Sequence, residues 1–279
     1  MTDYFSDLIP TVTTALNEDI GAGDVTASLI DPETKAKATV ISREAGIMCG
    51  RPWVDEVFRQ VDRNLEIVWH AADGDKTLPD QSLFSIEGNA RSILTGERPA
   101  LNFLQTLSGT ATTTHRYASL IAHTSTRLLD TRKTLPGLRL GQKYAVSCGG
   151  GMNHRIGLFD AFLIKENHIE ACGSITKAIE RAKQLHPGVR VEIEVEDLIQ
   201  FAEACAATPD WIMLDNFSLA DLRTAVGRNA NIKLEASGGI ESDDDLIAIA
   251  ETGVDYVSIG ALTKHVRAMD LSMRLHDAY

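Results

Sequence analysis

The fold is decided by one continuous stretch, Trp211–Ile259, which reads WIMLDNFSLADLRTAVGRNANIKLEASGGIESDDDLIAIAETGVDYVSI. Three short apolar runs in it are typical of buried strands, and the two segments between them carry helix start signals. Ser218 stands at an N-cap position, and Ser242 precedes three aspartates in a predicted first turn, where the helix dipole favours acids. Gly227 and Gly253 are predicted to end these helices. This order of strands and helices predicts a parallel sheet.

The same pattern extends toward the N-terminus and gives about six predicted strands. A polar residue or a glycine stands at or just after the C-terminal end of each strand, and in a βα-barrel these ends converge on one mouth that carries the chemistry. Because a full barrel has eight strands, we predict an α/β fold with an incomplete βα-barrel. The predicted strands are Arg127–Asp130, Ala161–Lys165, Val191–Val195, Trp211–Asp215, Lys233–Ala236 and Tyr256–Ile259. The residues at their ends are Thr131, Lys165, Glu194, Asp215, Ser237 and Gly260.

The first half of the chain shows a different pattern. Residues Ala38–Ser42 and Leu65–His70 contain alternating stretches that predict strands, and Val54–Val61 has the spacing of an amphipathic helix. A further helix is predicted over Glu97–Ala111, with Pro99 in its first turn. These elements indicate an α+β layer ahead of the barrel, with the domain junction within or just after the last helix.

The overall composition excludes some classes of protein. The chain has 27 Lys and Arg against 39 Asp and Glu, a net charge of −12, whereas partners such as nucleic acid or a membrane surface favour a basic face. No apolar run approaches the ~20 residues that cross a bilayer. The first ten residues contain two acids and no basic residue, so no signal peptide is predicted. The scattered cysteines Cys49, Cys148, Cys172 and Cys205 indicate reduced thiols and a cytoplasmic protein.

A basic cluster stands out against this acidic background. Residues 131–165 contain six Lys and Arg and one acid, a net charge of +5, so the rest of the chain carries −17. Arginine binds carboxylates and phosphates through paired hydrogen bonds, so the cluster predicts a site for a small polyanion; a solvated basic surface is the alternative. The run Gly149–Gly151 is compatible with an anion-binding loop and equally with a tight turn. The basic residues are Arg132, Lys133, Arg139, Lys143, Arg155 and Lys165.

Carboxylates near the strand ends form a second group. Glu192, Glu194 and Glu196 alternate with apolar residues and therefore share one face of a strand, and Asp215 at the next strand end is expected near one of them. Acids beside a basic cluster suit a divalent cation on a phosphate, or a cationic sugar-like transition state. A strand whose polar side chains face solvent is the alternative explanation.

Small residues and one histidine complete the candidates. The segments Ser237–Gly239 and Gly260–Ala261 follow the last two strands, a position that favours phosphate binding, although glycines there also let a strand turn. His154 lies inside the basic cluster. A lone histidine is more often a packing residue, so binding and packing are both open for His154.

Longer motifs identify a family. They are ALNEDIGAGDVT at Ala15–Thr26, REAGIMCGR at Arg43–Arg51, ERPALNFLQTLSGTAT at Glu97–Thr112, DTRKTLPGLR at Asp130–Arg139, KYAVSCGGGMNHRIGLFDAFLIKENHI at Lys143–Ile169, EVE at Glu194–Glu196, LDN at Leu214–Asn216 and EASGGI at Glu235–Ile240. With these motifs in order, the chain resembles the quinolinate phosphoribosyltransferases over nearly its whole length. The two most specific segments are DTRKTLPGLR and GGGMNHR.

The resemblance implies an N-terminal α/β sandwich over residues 1–107, joined by a C-terminal helix over 265–279, and an incomplete barrel over 108–264. It implies transfer of phosphoribosyl from phosphoribosyl pyrophosphate to quinolinate, which gives nicotinate mononucleotide, pyrophosphate and CO₂. The implied cofactor is Mg²⁺ bound with the donor, and no organic cofactor is implied. It further implies a homodimer, or a larger assembly, whose active site is shared between subunits.

The resemblance also assigns roles to the matched residues. Arg132, Arg155 and Lys165 would bind the carboxylates of quinolinate, with Thr131 and His154 in the same substrate site. Arg98 matches the arginine that the neighbouring subunit contributes. The catalytic residues would be Lys133, Glu194 and Asp215, of which Glu194 and Asp215 would also hold ribose hydroxyls and the metal. The 5′-phosphate would lie against Ser237, Gly238, Gly239, Gly260 and Ala261.

Three alternatives to this function remain open from the sequence. The first is a related family, associated with molybdate transport genes, that shares the barrel motifs. The second is a barrel enzyme that uses Lys165 as a Schiff-base nucleophile. The third is a protein that binds quinolinate without turning it over and serves as an anion-binding or assembly module.

Overall fold

The structure, a computed structural model, describes residues 2–229 and 231–276. These residues form two compact units. Unit 1 comprises Met1–His115, Thr134–Gly150 and Leu262–Tyr279, and unit 2 comprises Arg116–Lys133 and Gly151–Ala261. The predicted domain boundary between residues 107 and 108 stays a prediction.

The helices and strands follow one another in an irregular first part and a regular second part. The first part contains α1 (Leu8–Ile20), β1 (Lys35–Ser42), β2 (Gly46–Ile47), α2 (Arg51–Val61), β3 (Glu66–Trp69), β4 (Lys76–Thr77), β5 (Ser82–Asn89) and α3 (Ala90–Leu120). The second contains β6 (Arg127–Leu129), α4 (Arg139–Cys148), β7 (Ala161–Ile164), α5 (Glu166–Cys172), α6 (Ile175–Leu185), β8 (Arg190–Val195), α7 (Leu198–Ala207), β9 (Trp211–Asp215), α8 (Leu219–Arg228), β10 (Lys233–Ser237), α9 (Asp243–Ala250), β11 (Tyr256–Ser258), α10 (Ala261–Lys264) and β12 (Leu271–His276).

Unit 1 is built on an antiparallel sheet of four strands in the order β12-β1-β5-β3. Every second residue of β1 is buried, as expected for a strand with one face on a core. Helix α2 buries Trp53, Val54, Val57 and Phe58, whose spacing places them on one side of a helix. Phe58 packs against Phe84 of β5 with ring centroids 6.5 Å apart. These contacts form the hydrophobic core of unit 1.

Unit 2 contains a parallel sheet of six strands in the order β6-β11-β10-β9-β8-β7. Strands β8 and β9 pair with Glu192 opposite Trp211, and β9 and β10 pair with Asp215 opposite Ser237. The parallel register brings the carboxyl ends of all six strands to one edge of the sheet. The predicted incomplete barrel of about six strands is confirmed.

Two residues that the sequence predicts as N-caps do cap the first turns of their helices. The Ser218 side chain accepts a hydrogen bond from the Asp221 N–H at the start of α8. Ser242 forms a capping box with Asp245 at the start of α9. The prediction that Gly227 ends α8 is wrong, because the helix continues through Arg228.

Two further predictions in the first and last parts of the chain are wrong. Helix α3 begins at Ala90 rather than at Glu97, so Pro99 lies inside the helix and not in its first turn. The predicted C-terminal helix over 265–279 is replaced by strand β12, which pairs antiparallel with β1, while residues 277–279 lie outside the described part. Leu271 and Met273 alternate with polar residues and pack on the core of unit 1. An apolar residue at every second position is the pattern of a strand with one buried face, and it explains why this segment is not helical.

Among residues 2–229 and 231–276, no helix combines the length and apolar character that a membrane crossing needs.

Candidate active site

The carboxyl ends of the six parallel strands surround a cavity of about 470 Å³. Each strand contributes at least one side chain from its last residues or from the loop directly after it. This placement follows from the parallel register, which brings all six strand ends together. The cavity is lined by Thr131, Arg132, Lys133, His154, Arg155, Leu163, Lys165, Glu194, Met213, Asp215, Glu235, Ser237 and Ser258.

Four cationic side chains, those of Arg132, Lys133, Arg155 and Lys165, give the cavity its positive charge. The Nε atom of Arg132 is buried and has no hydrogen-bond partner in the described part of the chain. Burial and the neighbouring charge of Arg132 lower the pKa of Arg155. Lys165 Nζ lies 2.5 Å from Glu194 Oε2. A buried donor without a partner and two arginines that repel each other both favour a bound anion.

Asp130, which directly follows the edge strand β6, accepts hydrogen bonds from the loop after α4. Its Oδ2 accepts a hydrogen bond from Asn153 Nδ2 at 2.7 Å, and its Oδ1 accepts one from the His154 N–H at 2.9 Å. Met152 adds backbone hydrogen bonds with Leu128 and Asp130, so the segment runs beside β6 like a short extra strand. The Asp130 carboxylate, fully buried, therefore helps to fix the position of His154 at the cavity.

His154 is held against two buried carboxylates beneath the cavity. Its Nε2 lies 2.7 Å from Glu192 Oε2 and 3.3 Å from Glu235 Oε2. Burial by itself lowers the pKa of His154, but the two carboxylates outweigh burial and raise the pKa to about 9. Burial and repulsion by Glu192 raise the pKa of Glu235 to about 7. Both carboxylates therefore favour the protonated form of the ring.

Asp215 is oriented by a neighbour with an unusual backbone. Asn216 has a φ of +54° and donates from Nδ2 to Asp215 Oδ2 at 2.9 Å. Gly238, at a φ of +83°, leaves room for this side chain, since a Cβ there would lie 2.1 Å from Asn216 Oδ1. Glycine is therefore required at position 238, both by its left-handed backbone and by the contact with Asn216.

Comparison with known proteins places the chain in a family. Residues 24–108 match the description "Quinolinate phosphoribosyl transferase, N-terminal domain", and residues 110–274 match the corresponding C-terminal domain. The chain belongs to the quinolinate phosphoribosyltransferase family. It is 43% identical to a probable nicotinate-nucleotide pyrophosphorylase [carboxylating] of Bacillus subtilis, over 92% of this chain and 89% of that protein.

Further relatives cover the chain almost completely. A nicotinate-nucleotide pyrophosphorylase [carboxylating] of Mycobacterium leprae is 39% identical over 95% of this chain and 96% of its own. The solved structure of the nicotinate-nucleotide pyrophosphorylase from Francisella tularensis has a TM-score of 0.95 and 48% identity, covering 99% of this chain and 98% of the other. The similarity to these quinolinate phosphoribosyltransferase relatives therefore extends over the sequences of both units.

Nine of the site residues that the sequence predicts lie in the wall of the same cavity in this family member. Gly238 and Gly239 line a neighbouring cavity of about 260 Å³ with Asn216 and Ser218. Gly260 lies against Lys133, because a Cβ there would be 2.8 Å from Lys133 Cδ, and Ala261 begins α10. Arg98 lies on α3 within unit 1, with its side chain exposed. The nine predicted residues that line the larger cavity are Thr131, Arg132, Lys133, His154, Arg155, Lys165, Glu194, Asp215 and Ser237.

Sequence reasoning missed two side chains that act on this site. Glu235 is not among the predicted site residues, although its place between the apolar residues Leu234 and Ala236 in a short buried strand is a signal for an inward-facing acid. Glu192 was assigned to the correct strand face but not to the site. Their contact with His154 joins residues distant in sequence, so no local pattern indicates it.

Proposed function

We propose that the larger cavity catalyses transfer of the phosphoribosyl group from phosphoribosyl pyrophosphate to quinolinate, with loss of CO₂. The products are nicotinate mononucleotide and pyrophosphate, so the enzyme would act in the synthesis of NAD. The observation that supports this proposal is that cationic and acidic side chains line one cavity. The cationic ones are Arg132, Arg155 and Lys165, and the acidic ones are Glu194 and Asp215. The first set suits a dianionic acceptor, and the second suits a sugar that gains positive charge.

Quinolinate would be bound by the cationic side chains. Its two carboxylates match Arg132, Arg155 and Lys165, with His154 and Thr131 beside them. The buried Nε of Arg132 would gain a hydrogen-bond acceptor on binding. Since charge-assisted hydrogen bonds to a carboxylate are stronger than neutral ones, binding would offset the repulsion between Arg132 and Arg155.

Phosphoribosyl pyrophosphate would be bound with Mg²⁺ at the two acids. Mg²⁺ prefers oxygen ligands and is commonly bound by one or two carboxylates together with substrate phosphates, so Glu194 and Asp215 are a suitable donor set. The ion would supply charge neutralisation on the pyrophosphate. Lys133 would bind the donor's phosphates, since Gly260 leaves room for its side chain.

The acids would also act on the ribose as the donor bond breaks. The bond from C1′ to the pyrophosphate oxygen breaks, the quinolinate nitrogen forms a new bond to C1′, and pyrophosphate leaves with the electron pair. Positive charge develops on C1′ and the ring oxygen during this step. Glu194 and Asp215 would hold the hydroxyls and stabilise that charge electrostatically.

Decarboxylation would follow from the new charge on the ring. The pyridinium nitrogen withdraws electrons, so the bond from C2 to its carboxylate breaks, CO₂ leaves, and the electron pair remains on C2 until a proton replaces it. Arg132, Arg155 and Lys165 need only hold the bound ring while this occurs. Binding that favours the charged ring would lower the barrier.

The 5′-phosphate would bind near the last two strand ends. Ser237 lies on the larger cavity, and Gly238 and Gly239 line the smaller one beside it. The backbone N–H groups of glycines are accessible to a phosphate, and Gly260 directly precedes Ala261, the first residue of the short helix α10. We propose these five residues as the phosphate site.

We propose that the protein works as a homodimer, or a larger assembly, with Arg98 completing the active site of the neighbouring subunit. An exposed arginine on α3 suits this role, because it would bring one more cation to an anionic substrate. We also propose the cytoplasm as its location, since the described cysteines are all free thiols.

Shared active sites predict rescue between two inactive variants. Arg98→Ala and Lys133→Ala should each abolish most activity, because each removes a cation from the substrate site. After subunit exchange in a random mixture of two dimers, about one quarter of the sites are intact. Activity of the mixture would be measured against each variant alone. No recovery, in a mixture shown by mass spectrometry to contain heterodimers, would contradict the shared site.

The proposed reaction is tested by incubating the protein with quinolinate, phosphoribosyl pyrophosphate and Mg²⁺. We expect nicotinate mononucleotide, and we expect nicotinate to be a much poorer acceptor because it lacks the second carboxylate. A folded protein that binds quinolinate but forms no product would instead support a binding module. Borohydride trapping of a carbonyl substrate on Lys165 would support a Schiff-base enzyme.

A further inference from the structure

We propose that Glu192 and Glu235 are positioning residues that keep His154 a cation at the quinolinate site. The inference deepens the proposed function and rests on it. It adds two fully buried carboxylates, of which Glu235 is part of the cavity lining and Glu192 is not. Their effect on binding would pass through the His154 ring.

The first observation is the depth of the glutamates on β8. Glu192 and Glu194 share one face of the strand, yet Glu194 is paired with Lys165 at the mouth while Glu192 is 0% exposed. The next acid along the strand direction, Glu196, is exposed. The sequence prediction that all three glutamates share one strand face is therefore wrong for Glu196, which follows the end of β8, and holds for Glu192 and Glu194.

The second observation is that two buried carboxylates converge on one ring. Glu235 is also 0% exposed, and His154 is 6% exposed. Nε2 of His154 lies 2.7 Å from Glu192 and 3.3 Å from Glu235. Glu192 Oε1 has no hydrogen-bond partner in the described chain, so His154 is the main compensation for its burial. A charged group is rarely kept in such a place unless it is paired.

The third observation is the charge of the site itself. His154 lines the same cavity as Arg132, Arg155 and Lys165. Burial disfavours the protonated form of His154, so without the two acids the pKa of the ring would lie below its usual value. The carboxylates reverse this, which accounts for the raised pKa of His154. The cavity thereby gains a fifth cation for a dianionic ligand, beside Arg132, Lys133, Arg155 and Lys165.

Groups from several elements face this ring and enter any titration of it. Trp211 of β9 packs its ring edge against the imidazole at 6.3 Å between centroids, and Ser258 of β11 lies beside Glu235. Asp130 binds the His154 backbone. The charged or titratable groups are Asp130 at the end of β6, Lys165 after β7, Glu192 on β8, Glu235 on β10, and Arg132 and Arg155 on the loops.

The first test is the protonation state of His154 in the wild-type enzyme. NMR of ¹⁵N-labelled imidazole, assigned with a His154→Gln variant, should show a ring that titrates near pH 9. Affinity for quinolinate should accordingly fall as pH rises through about 9, because the ring then loses its proton. A neutral ring at pH 7.5, or a metal ion bound stoichiometrically to His154, Glu192 and Glu235, would overturn the inference.

The second test compares Glu192→Gln and Glu235→Gln with Glu196→Gln, an exposed control directly after the end of β8. We expect the dissociation constant of quinolinate, measured by calorimetry, to rise about tenfold for Glu192→Gln and roughly threefold for the more distant Glu235. Affinity for phosphoribosyl pyrophosphate should change little. The imidazole of His154 should titrate at lower pH in both variants and remain unchanged in the control.

These readouts separate the inference from the proposed function. A wild-type protein that neither binds nor converts quinolinate would sink the proposed function, whatever the state of His154. A wild-type enzyme that is active, with folded Glu192→Gln and Glu235→Gln variants of unchanged quinolinate affinity, would overturn the inference alone. Equal losses of affinity for both substrates would indicate a merely structural role and would also overturn it.

Discussion

Replacing Glu194 by alanine should lower kcat by about 10²- to 10³-fold, the usual cost of removing one group that stabilises transition-state charge. Glu194 lines the cavity with Asp215, where charge would develop on the ribose. The KM for quinolinate should stay near its wild-type value or fall. The reason is that Lys165, now paired with Glu194 at 2.5 Å, would be released toward the acceptor.

Steady-state kinetics with each substrate varied in turn would measure this split. Glu196→Ala is the control, since Glu196 directly follows the end of β8 and is exposed. A Glu194→Ala enzyme with full turnover would show that this carboxylate has no role at the ribose. A large rise in the quinolinate KM alone would assign Glu194 to acceptor binding instead.

Replacing Arg155 by alanine should raise the KM for quinolinate about a hundredfold, as expected when one partner of a desolvated charge pair is removed. Arg155 and Arg132 lie close enough for the charge of one to lower the pKa of the other. Removing Arg155 therefore relieves repulsion in the empty site and should not destabilise the fold. The loss should appear in binding of the dianion more than in kcat at saturation.

The prediction is tested by comparing the affinities of Arg155→Ala for quinolinate and for phosphoribosyl pyrophosphate. Calorimetry should show weak quinolinate binding and nearly unchanged donor binding in Arg155→Ala. Arg181→Ala, which removes an exposed arginine from α6, serves as the control. Wild-type quinolinate affinity in Arg155→Ala would remove this residue from the acceptor site.

The barrel could be predicted because its signals are local. A strand that is buried on both faces shows as a short apolar run, and caps such as Ser218 and Ser242 mark where each helix starts. Residues at the carboxyl ends of such strands must then converge, whatever the details of packing. This explains why Lys165, Glu194 and Asp215 could be placed at one cavity from the sequence.

The features that could not be predicted depend on contacts between residues far apart in the sequence. Strand β12 is stabilised by pairing with β1, which lies more than two hundred residues earlier in the chain. Pro99 is accepted inside α3 because a long helix packed on a core tolerates the loss of one hydrogen bond. His154 contacts acids on two other strands, Glu192 and Glu235, so this cluster exists only in the assembled unit.

The measurement that tests the central claim most directly is the stoichiometry of the two products. Quinolinate labelled with ¹⁴C in its 2-carboxylate would be incubated with enzyme, Mg²⁺ and phosphoribosyl pyrophosphate. The labelled CO₂ would be counted, and the nicotinate mononucleotide, which keeps none of this label, would be quantified by ultraviolet absorbance after chromatography. The account predicts equal amounts of both, dependent on the donor and lost in Glu194→Ala. CO₂ released without the donor, or no nicotinate mononucleotide from a folded protein, would contradict it.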